Sequence, residues 1–353
     1  PENPVNTLGY LKTFFTWMPR ISEALDLDEK KREKWLEIAE NLAPYPKGTI
    51  REIQENPTLW KEVDVKLEDL LPEEMLDKEI YYDEGIGGKW SFHFPGNVMQ
   101  IYPGNAIGLG SAQEELEVAR NTVQIHALVE NALGELEYRK ALEEAEFADK
   151  DNANNLLFNS NGELENGEAY SNGMESGGVQ NPHFYKAGAF NASNLSCLFF
   201  TAGVRVGYDP KIIWKEMRDM ILNRGIPNGF LKENPHGIEQ LNTIPDAIQE
   251  MMLQSCEGMI RIFPVWPRAE HPNAFFRNFR AWGGLEVSAA LKDGEVERVS
   301  ILSHKGHPCR VENPWPGKSV KVSYEYGRPD EVHFGEYLNI ELYKEEHAEL
   351  FRI

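Results

Sequence analysis

The hydrophobic pattern of the chain changes its period at Gly258. Before that residue, apolar side chains recur at helical spacing, as in Leu8–Leu25 and Ile244–Leu253. After it, they alternate with polar residues, as in Val296–Ser303, and Asp293-Gly294 is a strong signal for a tight hairpin. This change predicts a mainly α fold, residues 1–257, followed by an antiparallel β domain, residues 258–353, built as a sandwich.

Helical hairpins joined by long loops, and followed by a β sandwich, suggest an α/α toroid for the first part. Further helices are predicted over residues 29–42, 111–134, 191–206 and 210–224, with Ser111 and Glu114 in capping-box order at the start of the second. Long loops join them, as in a toroid whose loops line a pocket at one end. We count about seven or eight helices, and six hairpins need about twelve. We therefore expect an incomplete toroid, whose missing N-terminal part is a possible partner.

Further strands are predicted over four segments, residues 259–263, 285–291, 319–326 and 337–343.

The charge of the chain narrows the classes of partner. The formal net charge is −21, spread along the chain, which argues against a nucleic acid or an anionic membrane surface. No apolar run is long enough to span a bilayer. The three cysteines, Cys197, Cys256 and Cys309, have no metal-type spacing, and neither a phosphate loop nor a dinucleotide fingerprint occurs. The sequence predicts no metal and no cofactor.

The first candidate for chemistry is the segment from Glu233 to Gly258. A polar loop is predicted to carry His236, Glu239 and Asn242 and to run into a helix that begins at Ile244, with Pro245 in its first turn. Free backbone N–H groups at that end favour negative charge.

The second candidate is a Gly-rich aromatic loop. It holds Asp83 and Glu84, continues through Trp90, His93 and Asn97, and ends in a turn over residues 102–105. Acidic groups in two distant loops are what a two-carboxylate glycosidase needs. One carboxyl must be kept protonated, and burial against aromatic rings raises its pKa in that direction.

Several blocks of the chain, in conserved order, resemble glycoside hydrolase family 95. The segment from Ile248 to Gly258 is similar to the family's AEMLLQSHEG helix, and the segment from Ala281 to Val287 to its ARGGFEV hairpin. Upstream, the segments from Ile101 to Asn105 and from Ala119 to Thr122 are similar to the family's LHPGN and AARNTL blocks.

The resemblance implies an (α/α)6 toroid with a C-terminal β domain and hydrolysis of an α-linked sugar, α-L-fucoside-like or α-L-galactoside-like, with inversion. Counting back along the matched block puts Glu239 at the position of the family's catalytic Asp, as the base, and Glu84 is the preferred acid. Six further residues are expected to bind the substrate: Asp83, Trp90, His93, Asn97, His236 and Asn242. The substrate would be an oligosaccharide or polysaccharide, and the enzyme secreted or periplasmic.

Two alternatives stay open. One is a non-catalytic carbohydrate-binding protein derived from such enzymes, with Trp90, Trp282 and His236 as ligand contacts. The other is phosphorolysis or lyase chemistry on the same scaffold, with Tyr82 or His236 as the base.

Overall fold

The computed structural model describes residues 4–55, 66–82, 95–129, 197–224, 227 and 238–353. Helices dominate before Leu253 and strands after it. The helices are α1 (Val5–Leu25), α2 (Arg32–Glu40), α3 (Ile50–Glu55), α4 (Leu67–Leu70), α5 (Glu73–Leu76), α6 (113–129), α7 (Cys197–Arg205), α8 (Pro210–Arg224) and α9 (Ile238–Met252). Short 3-10 turns cover Glu29–Lys31, Pro95–Val98 and Glu325–Gly327.

The first helical hairpin forms where the apolar spacing predicts it. Helix α1 begins three residues earlier than predicted, after Pro4, whose fixed backbone angle suits a helix start. It ends at Asp26, which adopts the left-handed conformation with φ 53° and donates its backbone N–H to the Glu23 carbonyl. Helix α2 then packs back on α1.

The predicted capping box at Ser111 does not form. Helix α6 starts at residue 113, and the Leu116 N–H donates to the Ala112 carbonyl, so Ala112 holds the N-cap position. Ser111 Oγ instead accepts the Gly108 N–H at 3.1 Å, and Glu114 reaches Lys47 Nζ at 3.4 Å. The prediction was wrong because a loop contact and the side chain of Lys47 compete for these two side chains.

Twelve strands occur in the described residues, and ten of them lie after Met252. They are β1 (Lys47–Thr49), β2 (Glu79–Tyr81), β3 (Leu253–Gln254), β4 (Arg261–Ile262), β5 (Ala274–Ala281), β6 (Leu285–Lys292), β7 (Glu295–Ser303), β8 (Cys309–Glu312), β9 (Val320–Tyr324), β10 (Glu331–His333), β11 (Tyr337–Ile340) and β12 (Glu346–Arg352).

The C-terminal region is built on an antiparallel six-stranded sheet in the order β10-β9-β12-β7-β6-β5. The predicted hairpin is confirmed: β6 and β7 pair through Asp293 and Gly294, with φ 51° and 81°. Positive φ at both central residues matches the twist of the flanking strands, which is why Asp-Gly is favoured here. Strands β8 and β11 form a separate pair, and Ile260 bridges to Val311 of β8.

Helices and sheet share one hydrophobic core. A single cluster of buried side chains extends from Val5 of α1 through Phe199 of α7 and Met251 of α9 to Val287 and Leu350 of the sheet. Alternation along β6 places Val287 and Ala289 in this core and Ser288 on the opposite face. The end of α9 is therefore fixed by packing on both sides.

In the described part of the chain, no helix is long and apolar enough to cross a membrane.

Candidate functional site

The predicted site residues divide into those inside and those outside the described ranges. The residues outside are Asp83, Glu84, Trp90, His93 and His236. Glu239 and Asn242 lie in the first two turns of α9, and their backbone positions are described. The roles assigned to these residues from the sequence stay predictions.

Helix α9 begins at Ile238, six residues before the predicted start at Ile244. Glu239 and Asn242 therefore belong to a helix and not to a loop, and Pro245 lies inside the helix instead of in its first turn. The apolar spacing continues upstream through Leu241 and Ile238, which explains the longer helix. Pro245 is exposed, where the ring leaves the packed face undisturbed. Glu239 thus sits in the first turn, close to the free backbone N–H groups.

Asn97 is buried in the 3-10 turn that follows the second candidate loop. It is 1% exposed, and its Nδ2 donates to the Tyr81 carbonyl at 3.5 Å, a long contact. Its Oδ1 accepts no hydrogen bond from any described residue. The substrate contact of Asn97 stays a prediction.

Six polar side chains meet where the turn over residues 102–105 packs against α7 and α9. We call them the Arg205 cluster: Tyr102, Asn105, Thr201, Arg205, Asp246 and Glu250. Three separate segments of the chain contribute two residues each. The cluster therefore joins the second candidate segment, through Tyr102 and Asn105, to the first, through Asp246 and Glu250.

Arg205 is the centre of the cluster. Its guanidinium donates to Glu250 Oε1 at 2.7 Å and to Asn105 Oδ1, and it lies 4.7 Å from the centre of the Tyr102 ring. Burial alone lowers the pKa of Arg205, but the hydrogen bond and the attraction from Glu250 outweigh that effect and the pKa is raised overall. Arg205 therefore remains a permanent cation beside a carboxylate.

Asp246 lies one turn before Glu250 on α9 and is held by two hydroxyl groups. Thr201 Oγ1 donates to Asp246 Oδ2 at 2.7 Å, and the Tyr102 hydroxyl also bonds this carboxylate. Burial, followed by the negative charge of Asp246, raises the pKa of Tyr102, so its phenol stays protonated and donates. Asp246 makes no ion pair with any described residue and is half-buried.

Two buried polar atoms of the cluster make no hydrogen bond with any described residue. Arg205 Nε and Glu250 Oε2 are buried and have no hydrogen-bond partner among the described residues. Buried polar atoms without partners are uncommon and each calls for an explanation. Chemically, the cluster can anchor a loop rigidly on α9 and can offer a fixed acceptor, Asp246, at its edge.

Sequence reasoning missed Thr201, Arg205, Asp246 and Glu250. The available signal was the pair Asp246 and Glu250, four residues apart beside the apolar residues Ala247 and Met251. Carboxylates at the border of a packed helix face indicate polar partners on a neighbouring element. The pattern does not say which arginine supplies the charge.

Among the residues described, no three His, Cys, Asp or Glu side chains are grouped so that they could hold a metal ion. A comparison with known protein families finds no match, and no curated protein matches the chain.

Proposed function

We propose that the protein is a glycoside hydrolase that cleaves an α-linked sugar, of the α-L-fucoside or α-L-galactoside type, with inversion. Glu239 is the base and Glu84 the acid. The scaffold is part of an (α/α)6 toroid, residues 1–257, with a β sandwich, residues 258–353. The enzyme acts on an oligosaccharide or polysaccharide outside the cytoplasm, secreted or in the periplasm.

The observation that carries the proposal is the contact between the two candidate segments. Tyr102 and Asn105 close the segment that contains Glu84, and they contact Asp246 and Arg205. Arg205 in turn holds Glu250 of α9, the helix that begins beside Glu239. A two-carboxylate mechanism requires two distant parts of the sequence to meet, and these two parts do meet at their ends.

The helical periodicity of α9 relates the position of Glu239 to the Arg205 cluster. Position 239 lies seven residues before position 246, which is close to two turns of 3.6 residues, so both positions share one face of the helix. The rise of about 1.5 Å per residue separates them by about 10 Å along the axis. The proposed base would thus lie at the N-terminal end of α9, about two turns before the Arg205 cluster. The cluster would hold in place the helix that carries the base.

In the proposed reaction, Glu84 donates its proton to the glycosidic oxygen as the bond to the anomeric carbon breaks. Glu239 accepts a proton from the water that attacks that carbon from the opposite face, which inverts its configuration. The two carboxyl groups would be about 6.5–9.5 Å apart, leaving room for the water. Asp83, Trp90, His93, Asn97, His236 and Asn242 would hold the sugar.

The test uses the purified protein with 4-nitrophenyl α-L-fucoside and α-L-galactoside. Proton NMR of the first sugar released should show the inverted anomer. Glu84→Gln and Glu239→Gln should each lower kcat by about 10²–10⁴-fold, the usual contribution of acid–base groups. Glu297→Gln, on the exposed surface of β7, is the matched control and should be neutral.

Three outcomes would overturn the proposal. Full turnover in both variants would remove the assigned acid and base. Sugar binding without turnover by the unmodified protein would favour the non-catalytic alternative. A need for phosphate, or an unsaturated product that absorbs in the ultraviolet, would indicate a phosphorylase or a lyase.

A further inference from the structure

A groove crosses the six-stranded sheet on the face opposite the core. Its volume is about 350 Å³, and it lies over β5, β6, β7 and β12. Six of its lining residues carry the proposal: Phe275, Arg277, Ser288, Arg298, Ser300 and Glu349. None of them belongs to the Arg205 cluster or to the predicted glycosidase site.

Polar side chains form a row along the groove. Ser288 of β6 is opposite Ser300 of β7, and Ser300 is opposite Glu349 of β12. A bulge in β5 extends the row, because Asn278, with φ 58°, donates its backbone N–H to Ser288 Oγ at 2.9 Å. Four strands span about 14 Å at the usual spacing, enough for two or three linked sugar rings.

Two arginines and an exposed ring form one end of the groove. Phe275 is 66% exposed, and the Arg277 guanidinium lies 5.3 Å from the centre of its ring. Ala290 pairs with Phe275 on one side and with Arg298 on the other. Phe275 and Arg298 therefore flank a single small residue, and Arg277 lies over the Phe275 ring.

Neither arginine is neutralised by the part of the chain that the structure describes. Arg280, on the same strand as Arg277, pairs with Glu286 at 3.4 Å, whereas Arg277 and Arg298 make no ion pair with any described residue. In a chain of net charge −21 this is a local positive site. Arginine binds carboxylates through two parallel hydrogen bonds, so a carboxylate is the ligand group that this end suits best.

The other end of the groove carries a negative charge. Glu349 lies there, with His347 Nε2 3.8 Å from its carboxylate. A carboxylate accepts hydrogen bonds from hydroxyl groups and repels groups of high negative charge, so a phosphate ester fits less well than a singly charged, hydroxyl-rich molecule. The exposed Phe275 ring offers an apolar face for the C–H side of a sugar.

We propose that this groove binds an acidic saccharide, with a sugar carboxylate at Arg277 and Arg298, hydroxyl groups along Ser288, Ser300 and Glu349, and one ring on Phe275. The site is a binding surface of the C-terminal sheet. It does not depend on the proposed glycosidase activity, because it shares no residue with that site.

The test is isothermal titration of the purified protein with a galacturonate trimer and with a neutral galactose trimer. The acidic trimer should bind at least about tenfold more tightly, and added salt should weaken its binding. Arg298→Gln and Phe275→Ala should each weaken the binding about tenfold or more. Matched controls outside the groove are Arg310→Gln, an exposed arginine on the Tyr337 ring, and Phe334→Ala, which is 75% exposed beyond β10.

Four results would overturn the proposal: no binding of the acidic trimer, equal binding of both trimers, equal losses in the groove variants and the controls, or tighter binding of inorganic phosphate than of the trimer. Because all four side chains are at the surface, a thermal unfolding scan of each variant should match that of the unmodified protein. A groove variant that fails this check is replaced by Arg277→Gln.

Discussion

Two buried arginines, Arg205 and Arg261, lie on either side of the point where the helices give way to strands. Their side chains are 8% and 5% exposed. Arg205 binds Glu250 at 2.7 Å, inside the helical part. Arg261 of β4 binds Glu257 at 2.5 Å and Glu312 at 2.9 Å, and so joins the turn before β4 to β8. Both arginines hold carboxylates, but the two ion pairs differ in how completely their polar atoms are hydrogen-bonded.

A backbone N–H group completes the hydrogen bonding of the Arg261 ion pair. Both oxygens of Glu257 also accept the Gly110 N–H at 3.1 Å, and a Cβ at Gly110 would lie 2.9 Å from Arg261 Nη2, so a larger residue would have to displace the guanidinium. In the Arg205 pair, Nε and Glu250 Oε2 have no hydrogen-bond partner among the described residues. Among the described residues, Arg261 and Glu257 have no buried polar atom without a hydrogen-bond partner, whereas the Arg205 cluster has two.

The largest expected effect is a loss of stability, which should be greater for a variant of Arg205 than for one of Arg261. Arg205→Met leaves Glu250, a mostly buried carboxylate, without its cation, and should lower the free energy of unfolding by about 3–5 kcal/mol. Arg261→Met should cost about 1–3 kcal/mol, because Glu257 keeps the Gly110 N–H and Glu312 is 46% exposed. Urea denaturation of both variants measures the difference.

The control for this comparison is the double variant Arg205→Met with Glu250→Met. Removing both charges should recover most of the loss, because no uncompensated ion remains. If the two single variants lose the same stability, the inferred difference between the Arg205 and Arg261 ion pairs is wrong.

The next largest expected effect is the loss of stability when the hydrogen bond from Arg205 to Asn105 is removed. Asn105→Gly keeps the backbone conformation, φ 55°, and removes the Oδ1 acceptor of Arg205. We expect a loss of about 1.5–3 kcal/mol, the range for a hydrogen bond to a charged group. Asn105→Ala should lose about 1 kcal/mol more, since a Cβ disfavours the left-handed conformation. Equal stability of Asn105→Gly and the unmodified protein in the same denaturation assay would mean that the contact contributes nothing.

The fold was predictable where a local pattern decides it. Helix α8 has the predicted bounds, Pro210–Arg224, and the Asp293-Gly294 hairpin forms as its turn chemistry requires. Strands β5, β8, β10 and β12 were missed, since they are short or lack a clear alternation of apolar residues. In β12, for example, only Ala348 and Leu350 are apolar and buried. Their pairing is decided by neighbouring strands.

The candidate site was predictable only in part. Both stretches singled out from the sequence contribute to the Arg205 cluster, through Asn105 and Glu250, but Arg205 comes from a third segment that carries no motif. Contacts between residues a hundred positions apart leave no trace in local periodicity. The start of α9 was misplaced because Pro245 resembles a first-turn proline, while the apolar spacing upstream of it decides the real start.

The smallest expected effect is on the stability contributed by Glu216, a buried carboxylate that pairs with no described arginine. Glu216 of α8 is buried, and its closest described cation is Lys215 Nζ at 4.0 Å. Burial raises the pKa of Glu216 above its unfolded value of 4.5, so the ionised form destabilises the fold at neutral pH.

Glu216→Gln should therefore raise the free energy of unfolding at pH 7, by on the order of 0.5 kcal/mol. The sign follows from linkage: the folded state holds the proton more strongly, so the cost is present above the folded pKa and disappears as the pH falls toward the unfolded value. The gain of the variant should shrink accordingly between pH 7 and pH 4 in urea titrations, whereas the exposed Glu325→Gln should show no such trend. A gain that is constant with pH would assign the effect to packing of the amide, and a loss would mean that Glu216 is compensated as fully as Glu257.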